Sequence, residues 1–265
     1  MRRTSLGALV MSGVVLAACG GGDGGGAGVE ADEPLIQITS EGGFVPVEFA
    51  LSNGPRYTVL GDGRLIFQGF QTLEYPGRLV APTMVATLSD SQLNALLAIV
   101  EDIGLSEIDD ERDNEAMDMV ADASTEVITY WDVTGEHRLA VYALGIEDSP
   151  SERNAAFLEL IETLDRFTAE APAEPYEAER VRVVAGEGFI DPEFEDVRPW
   201  PLEGSDPATW EELANGWHCT TIDGPTPEVF EEATQATTWE HPDGASEPMT
   251  LLVRPLHPGE ADCPA

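Results

Sequence analysis

Arg56-Tyr57-Thr58-Val59-Leu60-Gly61-Asp62-Gly63-Arg64-Leu65-Ile66-Phe67-Gln68 is the stretch whose reading decides the fold. Arg56 to Leu60 and Arg64 to Gln68 are rich in β-branched and aromatic residues. They flank Gly61-Asp62-Gly63, a turn of the Asp-Gly type, so the stretch predicts a β-hairpin. A helix follows. Ser89 is placed as its N-cap, with Gln92 three residues on to close a capping box and Leu88 and Leu93 spaced as a hydrophobic staple. Leu93, Leu96, Leu97 and Val100 recur at helical spacing as a buried stripe, and Gly104 supplies the C-terminal cap.

The same order of elements recurs downstream. Strand-like segments near Thr125–Trp131 and His137–Leu144 surround Asp132-Val133-Thr134-Gly135. A helix is predicted from Pro150 to Phe167, with Ser149 as N-cap and Glu152 completing the box. Phe157, Leu160, Ile161, Leu164 and Phe167 form its apolar face. Residues 36–168 therefore predict an α+β domain: an antiparallel sheet built from two β-β-α units, with both helices on one face.

Ala169-Glu170-Ala171-Pro172-Ala173-Glu174-Pro175 reads as an extended Pro-rich connector, placed over residues 169–178. Residues 179–265 then predict a smaller α+β part. Its strands lie at Arg180–Val184, Trp217–Ile222 and Met249–Arg254. A short helix is expected with Asp206 as N-cap, Pro207 at its first position and Trp210 and Leu213 facing inward, and another spans Pro227–Ala236, capped by Thr226.

Charge excludes whole classes of function. The chain has 50 Asp+Glu against 13 Lys+Arg, a formal net charge of -37, and all of the cations are arginine. Phosphate contacts need clustered cations, so the composition argues against a nucleic-acid partner and against a basic patch docked on anionic headgroups. Five Trp, nine Phe and five Tyr, with periodic aliphatic segments, supply a core and exclude general disorder.

Residues 1–18 are an address rather than part of the fold. Arg2 and Arg3 precede an uncharged stretch of thirteen residues, Leu6 to Ala18. That is too short to span a ~30 Å hydrocarbon core, which needs roughly twenty residues. The stretch ends in Leu16-Ala17-Ala18-Cys19, which resembles the lipobox of bacterial lipoprotein signal peptides. The resemblance implies diacylglyceryl transfer to the Cys19 thiol, cleavage before Cys19 and acylation of the new amino group. Arg2-Arg3 with Leu6 is also similar to a twin-arginine export signal, but Ser5 departs from that pattern and an ordinary positive n-region is the reading taken.

Gly20 to Glu33 holds seven Gly in fourteen residues. It is read, with Cys19 and through residue 35, as a flexible tether spanning roughly 20 Å. Lipid contributes about 0.8 kcal/mol per buried CH₂, so two or three chains hold such a protein stably. The expected location is the extracytoplasmic face of the cell membrane, with the membrane as partner through the lipid on Cys19.

With Cys19 lipidated, Cys219 and Cys263 remain, and outside the cytoplasm an even remainder reads as a disulfide. The two are 44 positions apart, which the chain-entropy model converts to roughly 4 kcal/mol before strain. Phe44-Val45-Pro46, Pro55-Arg56-Tyr57-Thr58, Gly61-Asp62-Gly63 and Arg254-Pro255-Leu256-His257-Pro258 together resemble uncharacterised lipoproteins of high-GC Gram-positive bacteria. All-arginine usage agrees with a high-GC genome. No activity comes with that resemblance, and no functional residues carry over.

Chemistry is sparse in the motifs. Gly-x-Ser-x-Gly, His-Glu-x-x-His, Cys-x-x-Cys, a phosphate loop and Gly-x-Gly-x-x-Gly are all absent. His137, His218, His241 and His257 are scattered, and His218 adjoins Cys219 without a third metal ligand. Asp109-Asp110-Glu111 with Asp113, Asn114, Glu115 and Asp118 is rich in the oxygen ligands Ca²⁺ prefers, but fits no loop template. Glu193, Glu195 and Asp196 are equally unpatterned; a solvated acidic face is the reading for both clusters. Trp131, Trp200, Trp210, Trp217 and Trp239 are read as core packing before a sugar platform. No cofactor, metal or catalytic residue is expected. The expected function is that of a lipid-anchored, non-enzymatic binding or envelope-associated module. The alternatives are a secreted hydrolase, with carbohydrate as its candidate substrate class, and a solute-binding lipoprotein.

Removing the two signal-peptide arginines leaves fifty acids and eleven arginines, and the tether holds only four of those acids. The folded part therefore carries -35. Self-repulsion of that size is relieved by screening. The melting temperature is expected to rise with added NaCl in a thermal scan; a flat or falling series would remove the idea.

Overall fold

Gly63 takes φ +83°, a conformation that leaves glycine unstrained, and its N–H donates to the Leu60 carbonyl at 2.9 Å. The Asp62 carboxylate accepts the Arg64 N–H at 3.0 Å. These contacts close the expected hairpin, in the computed structural model that describes residues 28–114, 120–146, 150–188, 193–194, 196–213 and 216–264.

In chain order the elements are β1 (Pro34–Gly42), α1 (Val47–Ser52), β2 (Tyr57–Leu60), β3 (Arg64–Gln68), β4 (Thr83–Thr87), α2 (Asp90–Ile103), β5 (Asp110–Asp113), β6 (Ser124–Asp132), β7 (Gly135–Tyr142), α3 (Glu152–Glu170), β8 (Ala173–Pro175), β9 (Arg180–Gly186), β10 (Asp196–Arg198), β11 (Glu211–Glu212), β12 (His218–Asp223), α4 (Glu228–Glu231), β13 (Thr237–Trp239) and β14 (Met249–Pro255). The fold is α+β. Eight strands form one sheet in the order β5-β7-β6-β1-β2-β3-β4-β8, and six form a second in the order β10-β13-β14-β9-β12-β11. Pairing is antiparallel except for β5 with β7 and β10 with β13.

The two expected hairpins, β2–β3 and β6–β7, do not pair with each other; β1 lies between them and bonds to both. Its Ile36 and Ile38 side chains point with Tyr57, Val59, Leu65, Phe67, Ile128, Tyr130, Leu139 and Val141 into a core roofed by α2 and α3. Phe157, Leu160 and Leu164 of α3 are fully buried there, and each contributes roughly 1.5–3 kcal/mol of burial free energy. The capping box at Ser89 and Gln92 and the left-handed Gly104 form as expected. Asp165 anchors α3 to β2 through the Arg56 guanidinium (2.8 Å) and the Tyr57 hydroxyl.

Three local expectations are corrected. α3 is capped by Ser151, whose hydroxyl accepts the Asn154 N–H at 3.1 Å, and begins at Glu152; Ser149 lies outside the described residues. The Pro-rich connector is extended, and it pairs: β8 joins the sheet edge through Met84↔Pro175 and Ala86↔Ala173. α4 is one turn long and lacks a side-chain cap. It stops because the next backbone groups are recruited elsewhere: Leu79 N–H donates to Ala233 O (3.0 Å), Gln235 N–H donates to Gly77 O (2.9 Å), and Arg78 and Thr234 form a bridge. Tertiary pairing overrides a propensity already weakened by β-branched Val229 and Thr234.

Residues 29–33 of the expected tether pack on the hairpin turn. Gly61 N–H donates to Glu33 O and Asp62 N–H to Ala31 O, and Val29 touches the first core. In the second sheet β9 is buried on both faces, which explains its unbroken run Val181-Arg182-Val183-Val184-Ala185. Val181, Val183 and Ala185 meet Phe230, Trp239, Leu251 and Val253; Val184 meets Trp217, Cys219 and Leu51 of α1 on the other face.

Cys219 and Cys263 form the expected disulfide, with Cα atoms 5.9 Å apart. Arg182 reinforces it by donating to the carbonyls of Asp262 (2.8 Å) and Ala261 (2.6 Å), and Arg180 pairs with Asp262. The tail 256–264 is thereby held across β9. A double variant, Cys219→Ser with Cys263→Ser, is expected to lose up to about 4 kcal/mol in urea unfolding. A loss below roughly 1 kcal/mol would mean the arginine contacts hold the tail alone.

Candidate binding groove

Alternation along β1 and β2 puts apolar side chains toward the helices and leaves Gln37, Thr39 and Thr58 on the opposite face. The tail lies on that face, and the contact is polar. Thr58 is fully buried; its hydroxyl accepts from Gln37 Nε2 (3.2 Å) and bonds His257 Nδ1 (2.8 Å). The His257 N–H donates to Glu260 Oε2 (2.7 Å), and Arg254 grips the same carboxylate through Nη1 (2.8 Å) and Nη2 (2.6 Å). Tyr176 stands edge-on to the His257 ring, 5.9 Å between centroids.

Burial pushes His257 down to about 4, outweighing the pull of Glu260. The ring is therefore neutral at pH 7, with Nδ1 hydrogen-bonded to the Thr58 hydroxyl. Burial alone would raise Glu260, but the Arg254 fork holds its carboxyl below the ordinary range. Gly54 is required above this pair: a Cβ there would sit 2.4 Å from Arg254 Nη1.

α1 and its flanks cross over this seam and divide the surface beside it into two grooves. The larger, about 440 Å³, runs between Gln37, Thr39 and Glu41 of β1, Phe49 of α1, and Glu260 and Pro264 of the tail. The smaller, about 230 Å³, is walled by Gln68, Gln71, Arg78 and Gln235, with Arg254 and His257 also in its lining. Phe49, Asn53, Gly54 and Pro55 belong to both. Phe49 is 55% exposed on the ridge between them; Phe44, on the loop after β1, and Phe70 and Leu73, on the loop after β3, also stand exposed. Strand polarity brings those loops together, since β1 and β3 run the same way and end at Gly42 and Gln68.

The residues singled out by type lie mostly elsewhere. His137 braces its hairpin turn, bonded to the Ile108 carbonyl through Nδ1 and to Thr134 and Asp132 through Nε2; the carbonyl first and the carboxylate next hold its pKa above the ordinary value. His241 pairs with Asp243 in an exposed turn. His218 lies on β12, its Nδ1 buried without a hydrogen-bond partner. Trp217 and Trp239 are core residues. Trp200 and Trp210 lie 5.9 Å apart with both indoles hydrogen-bonded locally, and Trp131 bonds Glu136 in the other sheet.

Within the first acidic cluster Asp110, Glu111 and Asp113 engage Arg138, Arg153 and Asn154; Glu115 and Asp118 lie outside the described residues, as does Glu195. Among the described residues no group of three or more His, Cys, Asp or Glu is arranged to hold a metal ion. Nor is any described helix long and apolar enough to cross a membrane. Cys19 lies outside the described residues. The groove residues escaped the sequence reading because four separate segments supply them. The available signal was Phe44-Val45-Pro46 and Phe49, apolar side chains in a short segment bounded by Gly43 and Gly54.

Because His257 refuses a proton in the fold that it accepts when unfolded, stability is full above about pH 6.5. It falls as the pH drops toward 4, by about 3 kcal/mol. His257→Asn keeps an acceptor for Thr58 without that titration. Urea unfolding at pH 7 and pH 4 should show the wild type losing about 3 kcal/mol relative to the variant; parallel curves would refute the assignment. In comparisons with known proteins, no family model, curated protein or solved structure matches the chain.

Proposed function

We propose that this protein is a lipid-anchored, extracytoplasmic binding module that takes its ligand in the paired grooves beside the tail. The observation that carries this reading is the grooves' construction. Their shared ridge, Phe49 to Pro55, is seated on a rigid seam in which His257, Glu260 and Arg254 are all bonded within the protein. The lining includes amides, hydroxyls and an exposed aromatic ring, with the Glu41 carboxylate in the larger groove and the Arg78 guanidinium in the smaller. Such walls set directional hydrogen-bonding groups beside apolar surface from Val45, Ala50, Pro55 and Val253, and a few placed polar groups on an apolar lining are what orient a small molecule. Their preformed shape lowers the entropic cost of binding.

The anchor rests on Cys19 and the glycine-rich segment after it, read from the sequence. β1 spans nine residues, about 30 Å at strand rise, and separates the tether's attachment at Pro34 from the loops bearing Phe44 and Phe49. A domain tethered at its Pro34 end presents the grooves away from the lipid.

One experiment tests both parts. Cells expressing wild type or Cys19→Ser are fractionated, and vesicle-bound protein is exposed to the low-mass fraction of an envelope extract. Wild type is expected in the membrane fraction and Cys19→Ser in the soluble one. Bound material is expected to leave on dilution with unchanged mass, and Phe49→Ser to retain about tenfold less. Equal fractionation of the two chains overturns the anchor. Release with altered mass overturns the binding module in favour of the hydrolase, and equal retention by Phe49→Ser overturns the groove.

A further inference from the structure

Seven arginines of the described chain pair with carboxylates: Arg56, Arg64, Arg138, Arg153, Arg180, Arg198 and Arg254. Arg166 and Arg182 bond a hydroxyl and two carbonyls. Arg78 makes no ion pair and no side-chain hydrogen bond with any described residue, in a protein where acids outnumber arginines about four to one. Arg112 shares that state at the far edge of the first sheet, on β5.

Arg78 stands in the wall of the smaller groove, facing the same space as Gln68, Gln71 and Gln235. Its backbone is fixed by the bridge to Thr234 and by the Gly77–Gln235 and Leu79–Ala233 hydrogen bonds on either side. A Cβ on Gly77 would lie 3.2 Å from Gln235 Oε1, so these segments pack closely. Arg254, in the same wall, spends Nη1 and Nη2 on Glu260 and leaves its buried Nε without a partner.

We infer that the smaller groove binds the carboxylate of a small polar molecule, with the Arg78 guanidinium as its anchor and the three glutamine amides as partners for the groups beside it. The inference rests on the grooves being the binding site proposed above. A guanidinium is a planar fork matched to a carboxylate. Each glutamine offers both a donor and an acceptor, which suits hydroxyl or peptide groups rather than more charge. The domain's own field decides against a dianion: a phosphate carries close to twice the charge of a carboxylate into a strongly acidic body, and the groove has a single unpaired cation to receive it. The volume of about 230 Å³ admits one sugar ring or a short peptide end. A sugar acid and a peptide C-terminus present the same chemistry, and Phe49 on the ridge can stack on the face of either.

The test uses the full chain with four probes: glucuronate and N-acetylalanylalanine as acids, glucose and the dipeptide amide as neutral counterparts. Side-chain amide NMR signals of Gln68, Gln71 and Gln235 are followed on titration. The acids are expected to shift these signals and to bind about tenfold more tightly than their counterparts. Arg78→Gln should remove that preference while its melting temperature stays unchanged, because the side chain is exposed; Arg78→Lys should restore it in part. Whichever acid binds more tightly assigns the source. Equal binding of acids and neutral counterparts, or an acid preference kept by Arg78→Gln, overturns the carboxylate while leaving the groove reading intact. No shift with any probe overturns the carboxylate and counts against the groove as well.

Discussion

The structure depends on one constraint: at β2 the first sheet is buried on both faces, and the two faces solve burial differently. Toward α2 and α3 it offers isoleucine, valine, leucine and aromatic side chains. Toward the tail it offers Thr58 and Gln37. A buried hydroxyl or amide without a partner costs roughly 1–3 kcal/mol, so whatever covers that face must bring hydrogen bonds to it. His257 does so, and it in turn needs Glu260 and Arg254 to order the tail around it. Removing one member strands the others, which is why the seam is better regarded as a unit than as three contacts.

The tail reaches this face because it is held from the second sheet. The disulfide, Arg180 and Arg182 secure residues 260–263 against β9 and β12. Two sheets that share no strand are thereby joined by nine residues of irregular chain. The grooves are a by-product of that joint. α1 crosses the seam without filling it, Gly54 lets the backbone lie against Arg254, and open space remains on either side of Phe49.

Acidity sets how the arginines are used. With so few cations, most of them hold structure together, at exposed pairs worth little individually or at the buried Arg254–Glu260 fork where loss of one partner is severe. Against that pattern Arg78 is conspicuous for being uncommitted, and its position in a groove of amides makes the smaller groove the chemically distinctive one.

Local signals carried much of the architecture. The Gly61-Asp62-Gly63 turn, the Ser89 capping box, the apolar stripe of the long helix and the Cys219–Cys263 pair are all properties of a few neighbouring residues or of simple counting. By itself, therefore, the sequence determined the α+β class, both hairpins, both long helices, the disulfide and the chain's charge. What it did not show is what long-range pairing decides: β1 inserted between the hairpins, the proline segment recruited as β8, the expected helix at Pro227–Ala236 cut to one turn by the Arg78–Thr234 bridge, and the helix start moved to Ser151. The site belongs wholly to that second kind. Gln37, Phe49, Arg78, Gln235 and His257 have no shared spacing, and only the tertiary structure brings them together. A hydrogen-bonded seam selects partners by three-dimensional position, and nothing in the local chain records which distant residue will meet a buried threonine.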